Sequence, residues 1–232
     1  MPSIWMPDAP PASAGAEDDE FADASGGLPS GWTEVDHGTA QTVDEDEPGL
    51  ELGQVTHVGN ALSGIYKAIP AGDFTYWTKV SLSGLAVTTT LRAGIALWED
   101  ATAVGGDVRT LHLITNATQG AVDVTSWTGY TAISATLVTR AISVDTTPTH
   151  LYLMVRRATT TYDFSFSTDG IGWQRILTTG ALGITPTHIG PSMDNTNSAA
   201  DANARFAFWR YLASDVGLTP LMAGDRIDIT AL

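Results

Sequence analysis

The chain has 232 residues, contains no cysteine and carries a formal net charge of −15. These values exclude disulfide bonds and thiolate metal sites, and they argue against direct binding of nucleic acid, which requires clusters of Lys and Arg. The hydrophobic fraction of 43% is typical of a globular protein, and no apolar run approaches the ~20 residues of a membrane span.

The acidic residues are concentrated at the N-terminal end of the chain. Residues 1–51 hold 13 of the 26 acidic residues, and the first basic residue is Lys67. Residues 1–16 are rich in Pro, Ala, Ser and Gly, a composition that does not build a core of its own. The apolar tip of this segment consists of Ile4, Trp5, Met6 and Pro7. The sequence predicts either a disordered tail or, as we expect, an extended arm whose tip anchors the protein to a neighbouring subunit.

Short segments with alternating apolar residues follow from about residue 32 onward. Residues 74–82 alternate strictly, as in a strand with one buried face, whereas residues 91–98 are continuously apolar, as in a central strand covered on both faces. Residues 115–149 predict two or three weaker strands. Further short strands are expected at 33–35, 50–52, 61–69 and 108–114, and an acidic turn at 44–49.

The region 150–177 has the strongest pattern in the chain. Leu151, Leu153 and Val155 alternate with polar or larger residues, and residues 162–167 repeat the alternation. A Thr-Asp-Gly turn then leads to a returning segment that begins with Trp173. Period-two spacing, aromatic content and a Gly-containing turn predict antiparallel strands with one buried face.

The last part of the chain completes the predicted sheets. Strands are expected at 187–190 and 204–211, with a polar loop at 195–203 between them and a tail at 212–232 that could add a short strand at 227–229. In the closing strand, alternation places Phe206 and Phe208 on one face and Trp209 and Tyr211 on the other. Many short strands and frequent Gly or Pro turns predict an all-β, antiparallel two-sheet β-sandwich.

Several sequence blocks, in this order, resemble the concanavalin A-like or laminin G-like jelly roll, especially the sandwich modules attached to bacterial glycoside hydrolases. They are Asp18-Asp-Glu-Phe21 with Gly31-Trp32, Gly72 to Val80, Leu151 to Arg157 with Phe164 to Gly170 and Trp173, and Ala204 to Arg210. The resemblance implies a jelly-roll sandwich over 17–211, and the residues on either side of it form the N-terminal arm over 1–16 and a C-terminal tail over 212–232. It says little about function, because this fold serves many roles.

The resemblance also raises the question of calcium. Many relatives carry an Asp in the closing strand that helps bind a structural calcium ion beside an acidic pair, here Asp18 and Asp19. In this chain the corresponding place holds Ala207 and Phe208. We therefore expect no metal and no other cofactor.

The sequence contains no catalytic motif. The five histidines are scattered, and no Gly-x-Ser-x-Gly elbow, His-Glu-x-x-His motif, P-loop or dinucleotide fingerprint occurs. A pair of carboxylates for glycoside hydrolysis must converge on a cleft, whereas Glu99, Asp107, Asp123 and Asp163 are expected at turns or strand edges. The chain is therefore expected not to be an enzyme.

A sugar-binding surface is the main alternative for function. Such a surface needs exposed aromatic rings that stack on pyranose rings, with amide or carboxylate partners nearby. The candidates are Trp127, Tyr130 and Trp98, with Asn116 and Asn195 as polar partners. The competing interpretation places Trp98 in the core and packs Trp127 over a sandwich edge, because aromatic residues inside alternating strands are most often buried.

These features lead to a specific functional expectation. A Thr-, Ala- and Gly-rich jelly roll with terminal arms resembles bacteriophage virion proteins, such as capsid decoration, head-fibre or tail components. The expected role is structural: the arm docks onto other virion proteins, in a homo-oligomer, and the sandwich is displayed at the virion surface. The alternative is a carbohydrate-binding module that recognises a surface polysaccharide in an extracellular setting.

Overall fold

The computed structural model describes most of the chain between residues 18 and 228. The ranges are 18–21, 27–35, 41–45, 49–55, 59–83, 90–99, 107–116, 119–142, 150–180, 182–196, 201–213 and 227–228. The predicted anchor residues Ile4, Trp5, Met6 and Pro7, and most of the C-terminal tail, lie outside these ranges.

The described residues form strands and no helix. In chain order the strands are β1 (Thr33–Val35), β2 (Gln41–Glu45), β3 (Leu50–Gln54), β4 (Ser63–Ala68), β5 (Phe74–Ser83), β6 (Thr90–Trp98), β7 (Val108–Asn116), β8 (Gln119–Thr128), β9 (Ala132–Ile142), β10 (His150–Ala158), β11 (Thr161–Ser167), β12 (Gly172–Thr179), β13 (His188–Thr196), β14 (Ala202–Ala213) and β15 (Ile227–Asp228). Within this part of the chain no helix is long and apolar enough to cross a membrane.

Two antiparallel sheets contain these strands. The seven-stranded sheet has the order β1-β4-β13-β6-β7-β8-β9, and the eight-stranded sheet has the order β15-β12-β11-β10-β5-β14-β3-β2. The strongly alternating region at 150–177 forms β10, β11 and β12, which pair consecutively as the sequence predicts. The expected β-sandwich is confirmed.

The main core lies between the two sheets. Leu91, Ala93, Ile95 and Leu97 of β6 join the same buried cluster as residues of the facing sheet, such as Leu153. Since successive side chains of a strand point to opposite faces, the even-numbered residues of β6 lie on the outer face of the seven-stranded sheet. As predicted, β6 is a central strand whose residues 93–98 are all buried.

The closing strand β14 contains a β-bulge that changes its alternation. Its register with β5 shifts between Phe206 and Trp209. Phe206 and Trp209 are both buried in the main core, whereas Phe208 lies in a separate cluster with Trp77 on the outer face of the eight-stranded sheet. The prediction that Phe206 and Phe208 share a face was wrong, because a bulge inserts one residue and shifts the side-chain phase.

The strand boundaries also differ from two predictions. β13 runs to Thr196, so residues 195 and 196 belong to a strand rather than to the predicted polar loop. β2 includes Asp44 and Glu45, so these two residues belong to a strand rather than to the predicted acidic turn. Long-range pairing with β6 and β3 supplies the backbone hydrogen bonds that local composition does not reveal.

The acidic segment 18–21 is attached to β14. Asp19 and Trp209 exchange two backbone hydrogen bonds of 2.8 and 2.7 Å, and Asp18 Oδ1 accepts a hydrogen bond of 2.6 Å from the Tyr211 amide. Asp19 Oδ2 accepts a 2.6 Å bond from Trp32 Nε1, and the Lys67 ammonium lies 3.9 Å away. These hydrogen bonds join the acidic pair to β14 and to Trp32. Within the described ranges, no cluster of three or more His, Cys, Asp or Glu could hold a metal ion.

Candidate functional site

The predicted sugar-binding aromatic residues lie on the outer face of the seven-stranded sheet. Trp98 and Trp127 are 0% exposed and Tyr130 is 2% exposed, and all three pack in one cluster with Tyr66 and Leu62. Trp127 Nε1 donates to the hydroxyl of Thr125 at 2.9 Å. In this structure, these rings offer no free face for stacking on a sugar.

Two connections meet above this outer face. Leu62 immediately precedes β4, Tyr130 lies in the turn between β8 and β9, and the Leu62 amide donates to the Tyr130 carbonyl at 2.9 Å. β4 and β8 are four positions apart in the sheet, which corresponds to ~19 Å in a flat sheet. The outer face must therefore be strongly curved and bridged at this end, which explains why the aromatic cluster is buried.

The sugar-binding role of Trp98, Trp127, Tyr130 and Asn116 remains a prediction that nothing tests directly. Asn116 is the last residue of β7 and pairs with Gln119 across the β7–β8 hairpin. Because the three aromatic residues are closed off from solvent, a ligand-accessible site has to be sought elsewhere in the molecule.

A polar network occupies the middle of the same outer face. It consists of Arg92, His112, Asp123, Ser192 and Asp194. Arg92 Nη1 is 3.1 Å from Asp194 Oδ2, and Arg92 Nε is 4.0 Å from Asp123 Oδ2. His112 lies directly opposite Asp123 in the β7–β8 pair, and its Nε2 is 2.9 Å from Ser192 Oγ. We call this group the outer polar network.

Burial dominates the electrostatics of the outer polar network. Burial raises the pKa of Asp123 to about 7, with Arg92 lowering it and Asp194 raising it further. Burial lowers the pKa of His112 to about 3, assisted by the positive charge of Arg92. Each shift disfavours the charged form in a low-dielectric environment. At pH 5 the folded protein therefore holds a neutral Asp123 and a neutral His112.

Asp194 gives the outer polar network a clear structural role. Its Oδ1 accepts a 2.9 Å hydrogen bond from the Ala61 amide, and its Oδ2 accepts a 2.5 Å bond from the Thr196 hydroxyl. The side chain thus fixes the start of β4 to β13 while it neutralises Arg92. Asp123, which we expected at a turn or strand edge, is instead buried in the middle of β8.

An open cleft lies at one end of the sandwich, beside the β10–β11 hairpin. Its volume is about 370 Å³, and its walls include Glu99, Arg157, Tyr162 and the glycine-containing segment 182–186 that precedes β13. Glu99 follows β6, whereas Arg157 and Tyr162 lie directly opposite each other in β10 and β11. We call it the end cleft. Both sheets therefore contribute to it.

The segment 182–187 of the end cleft is held by hydrogen bonds at several points. Arg109 Nε donates to the Leu182 carbonyl at 2.7 Å. The Thr187 hydroxyl donates to the Glu99 carbonyl at 2.7 Å, and the Thr187 amide donates to the Trp98 carbonyl at 2.8 Å. Burial lowers the pKa of Arg109, opposed by Asp107 and Glu99, and the guanidinium stays charged at neutral pH. This wall is therefore pre-organised.

The opposite wall of the end cleft presents a charge and a phenol. Arg157 is half-buried, and its Nε donates to the Thr159 carbonyl at 3.2 Å. Burial raises the pKa of Tyr162, while the nearby Arg157 lowers it. Tyr162 is therefore a neutral hydrogen-bonding group at physiological pH.

Glu99 provides an exposed carboxylate on the far side of the cleft. Its Oε1 has a long contact of 3.4 Å with the Thr185 amide. Within the described residues, neither Glu99 nor Arg157 forms an ion pair. The lining of the cleft thus includes a hydrogen-bond acceptor, a donor and a phenol.

Sequence reasoning did not identify the end cleft. Glu99, Arg157 and Tyr162 come from segments far apart in the chain, and only the sheet topology brings them together. A local signal existed in the Gly180 and Gly183 positions that flank Leu182, since glycine-containing loops often line binding sites.

Comparisons with known proteins support the fold. No protein-family model matches the sequence, and no curated protein matches it. The GH43 protein BlXynB from Bacillus licheniformis superposes with a TM-score of 0.61 and 18% identity over 86% of this chain and 39% of that protein. A xylan β-1,4-xylosidase from Bacillus halodurans gives 0.57 and 16%, over 88% of this chain and 41% of that protein.

A third neighbour differs because it matches along nearly its whole length. It is the CBM2 module of the evolved Dit protein of Lactobacillus casei BL23 phage J-1, with a TM-score of 0.53 and 11% identity over 85% of this chain and 96% of that module. By contrast, this chain spans about two fifths of each of the two hydrolases. At these identities the likenesses establish the fold alone, a β-sandwich of the kind found in carbohydrate-related proteins.

The expectation that the chain is not an enzyme needs correction. Several solved structures with this fold are glycoside hydrolases of the GH43 class, at 11–18% identity. The absence of a familiar catalytic motif was therefore too weak a basis for excluding catalysis. The fold is compatible with an enzyme, with a binding module and with a structural role.

Proposed function

We propose that this chain is a carbohydrate-binding β-sandwich module that uses the end cleft to hold its ligand. The observation that supports this proposal most directly is an open, pre-organised cleft lined by Glu99, Arg157 and Tyr162, in which neither charged side chain forms an ion pair with a described residue. Carbohydrates present many hydroxyl groups, each able to donate and to accept a hydrogen bond, and such a cleft matches that chemistry.

The names of the structural neighbours agree with this class of ligand. One neighbour is the CBM2 module of a phage Dit protein, and another is a xylan β-1,4-xylosidase. For the present chain these names suggest which probes to use first, namely neutral plant and bacterial-surface oligosaccharides.

The proposal is tested by blocking the cleft. Thr160 is exposed in the β10–β11 turn and lines the cleft, so Thr160→Trp should fill part of its volume. We expect the wild-type chain to bind members of a glycan array and the variant to lose at least tenfold in affinity for them. Thr136→Trp, at an exposed position of β9, is the matched control and should bind as the wild type does. Absence of binding to any glycan would contradict the proposal, and equal binding by both variants would place the site elsewhere.

The second candidate function is docking in a bacteriophage particle with display at the virion surface, and the phage Dit module favours it. In this proposal residues 4–7 anchor the chain to other virion proteins or to further copies of itself. The attachment of Asp18 and Asp19 to β14 would fix the point where such an arm leaves the sandwich. Deleting residues 2–16 should abolish co-sedimentation with the particle while the far-ultraviolet circular dichroism stays unchanged. Unchanged co-sedimentation would rule out the arm as the anchor.

A further inference from the structure

The end cleft contains two opposite charges that do not neutralise each other. Glu99 and Arg157 stand on different walls, and neither forms an ion pair with a described residue, although Arg109 is close enough for the Glu99 carboxylate to raise its pKa. A carboxylate accepts hydrogen bonds only, and a guanidinium donates them only. The ligand must therefore offer donors at one side and acceptors at the other.

We propose that the end cleft selects neutral glycans, with hydroxyl groups of the glycan donating to Glu99 and accepting from Arg157. This inference rests on the proposed carbohydrate-binding function and names the class of ligand. A glycan with a carboxylate would gain one contact with Arg157 and meet repulsion from Glu99, so it would gain little. A hydroxyl-bearing sugar satisfies both groups, and charge-assisted hydrogen bonds are the strong ones.

The charge of the whole chain acts in the same direction. Its net charge of −15 disfavours the approach of polyanionic polysaccharides. The effect at the cleft is small, because residues 52–232 hold 13 acidic and 11 basic residues and salt screens charges beyond about 8 Å at physiological ionic strength. The Glu99 carboxylate then repels acidic sugars at short range.

The geometry of the cleft is suited to discrimination between hydroxyl patterns. Glu99 is connected to the rigid segment through its own carbonyl and Thr187, and Arg157 is held through Thr159, whose amide donates to Asp73 Oδ1 at 2.6 Å. Fixed donors and acceptors bind with a smaller loss of side-chain entropy.

Isothermal titration calorimetry with matched probes tests the inference. The probes are cellohexaose and the corresponding C6-oxidised cellouronic acid hexamer, together with xylohexaose and a glucuronic-acid-substituted xylotetraose. We expect at least one neutral member to bind at least tenfold more tightly than its acidic counterpart, with a Kd that does not change between 50 and 500 mM NaCl.

Variants of the two charged residues complete the test. Glu99→Gln and Arg157→Gln should each lower the affinity for the neutral probe at least tenfold. Glu34→Gln on β1 and Arg140→Gln on β9, both at exposed positions, are controls that should leave the affinity unchanged. An unchanged Kd in Glu99→Gln or Arg157→Gln would overturn the inference.

The outcomes separate this inference from the proposed function. Tighter binding of the acidic members, weakening as salt is added, would overturn neutral selection and leave carbohydrate binding standing. If no probe binds and the glycan array is also blank, both proposals fail.

Discussion

The outer polar network and the end cleft contain similar residue types in opposite situations. In the outer polar network, Asp194 and Arg92 are paired at 3.1 Å and Asp194 is fully buried. In the end cleft, Glu99 is exposed and Arg157 is half-buried, and they do not pair. The ion pair is buried in one place, where Arg92 Nε, His112 Nδ1 and Asp123 Oδ1 still have no hydrogen-bond partner, and the two charges are open to solvent and unpaired in the other.

This difference indicates which property each cluster supports, folding stability or ligand binding. Breaking one partner of a buried ion pair leaves an uncompensated charge and costs much stability. Exposed charges contribute little to stability but remain available to a ligand. We therefore expect substitutions in the outer polar network to affect folding, and substitutions in the end cleft to affect binding.

The largest expected effect is that of Asp194→Ala. It removes the partner of Arg92 and the acceptor for the Ala61 amide, so the free energy of unfolding should fall by about 3–5 kcal/mol. Glu99→Ala is the comparison in the cleft and should change it by no more than about 0.5 kcal/mol. Urea denaturation measures both. Equal effects of the two substitutions would remove the distinction between the clusters.

The second prediction concerns pH and uses the opposite pKa shifts of Asp123 and His112. The pKa of Asp123 is raised to about 7 in the folded state, so its contribution to stability is present below its unfolded pKa of 3.8 and is lost as pH rises towards 7. The pKa of His112 is lowered to about 3, so its contribution is present above 6.5 and is lost as pH falls. Between pH 4 and 6.5 the two contributions to the free energy of unfolding change with pH in opposite directions and cancel.

Single substitutions should reveal how each of the two groups makes the free energy of unfolding depend on pH. Relative to the wild type, Asp123→Asn should lose stability as pH falls from 6.5 to 4, and His112→Gln should lose it as pH rises over the same range. Each slope is at most about 1.4 kcal/mol per pH unit. Urea denaturation at a series of pH values measures them. Parallel curves for both variants would show that these groups do not titrate as the structure implies.

The third prediction concerns the rigid wall of the cleft. Gly183 has a φ of +71°, and a Cβ there would lie 3.2 Å from Arg109 Nη2. Gly183→Ala should cost about 1–2 kcal/mol from the left-handed backbone and weaken ligand binding by shifting the wall. Gly72→Ala is the control, since its φ is +96° and no heavy atom lies within 4 Å of its Cβ. Thermal denaturation should show similar losses of stability for the two variants, whereas only Gly183→Ala should change the Kd for the ligand.

The smallest effect is expected for Tyr162→Phe. This substitution removes the cleft hydroxyl and keeps the ring, which is 7% exposed and packs within the main core. We expect a change in unfolding free energy within about 0.5 kcal/mol and a several-fold weaker Kd for the neutral probe. A loss of stability above 2 kcal/mol would mean that the hydroxyl belongs to the fold rather than to the cleft.

The sequence predicts the fold well because strand patterns are local. The alternation of Leu151, Leu153 and Val155 is visible within seven residues, and the structure places these three residues in the core. Asp123 could have been recognised from its position between Val122 and Val124, which requires it to face away from them. That it meets His112, Arg92 and Asp194 depends on the order of four strands, which local sequence does not contain.

The end cleft was even harder to predict from the sequence than the contacts of Asp123. It depends on the connection that carries Leu182 across the end of the sandwich to Arg109, a contact between residues 73 positions apart. The bulge in β14 likewise has no signal in the alternation of Phe206 and Phe208. Long-range pairing decides both features, and it overrides local pattern wherever the two conflict.

The attachment of residues 18–21 to β14 has a mechanical consequence. If the chain is tethered through its N-terminal side, a pulling force enters the sandwich at Asp19, where two backbone hydrogen bonds join it to Trp209. These bonds and the Trp32 indole that donates to Asp19 would yield before the sheets separate. The segment would then detach at low force and lengthen the tether while the two sheets stay folded.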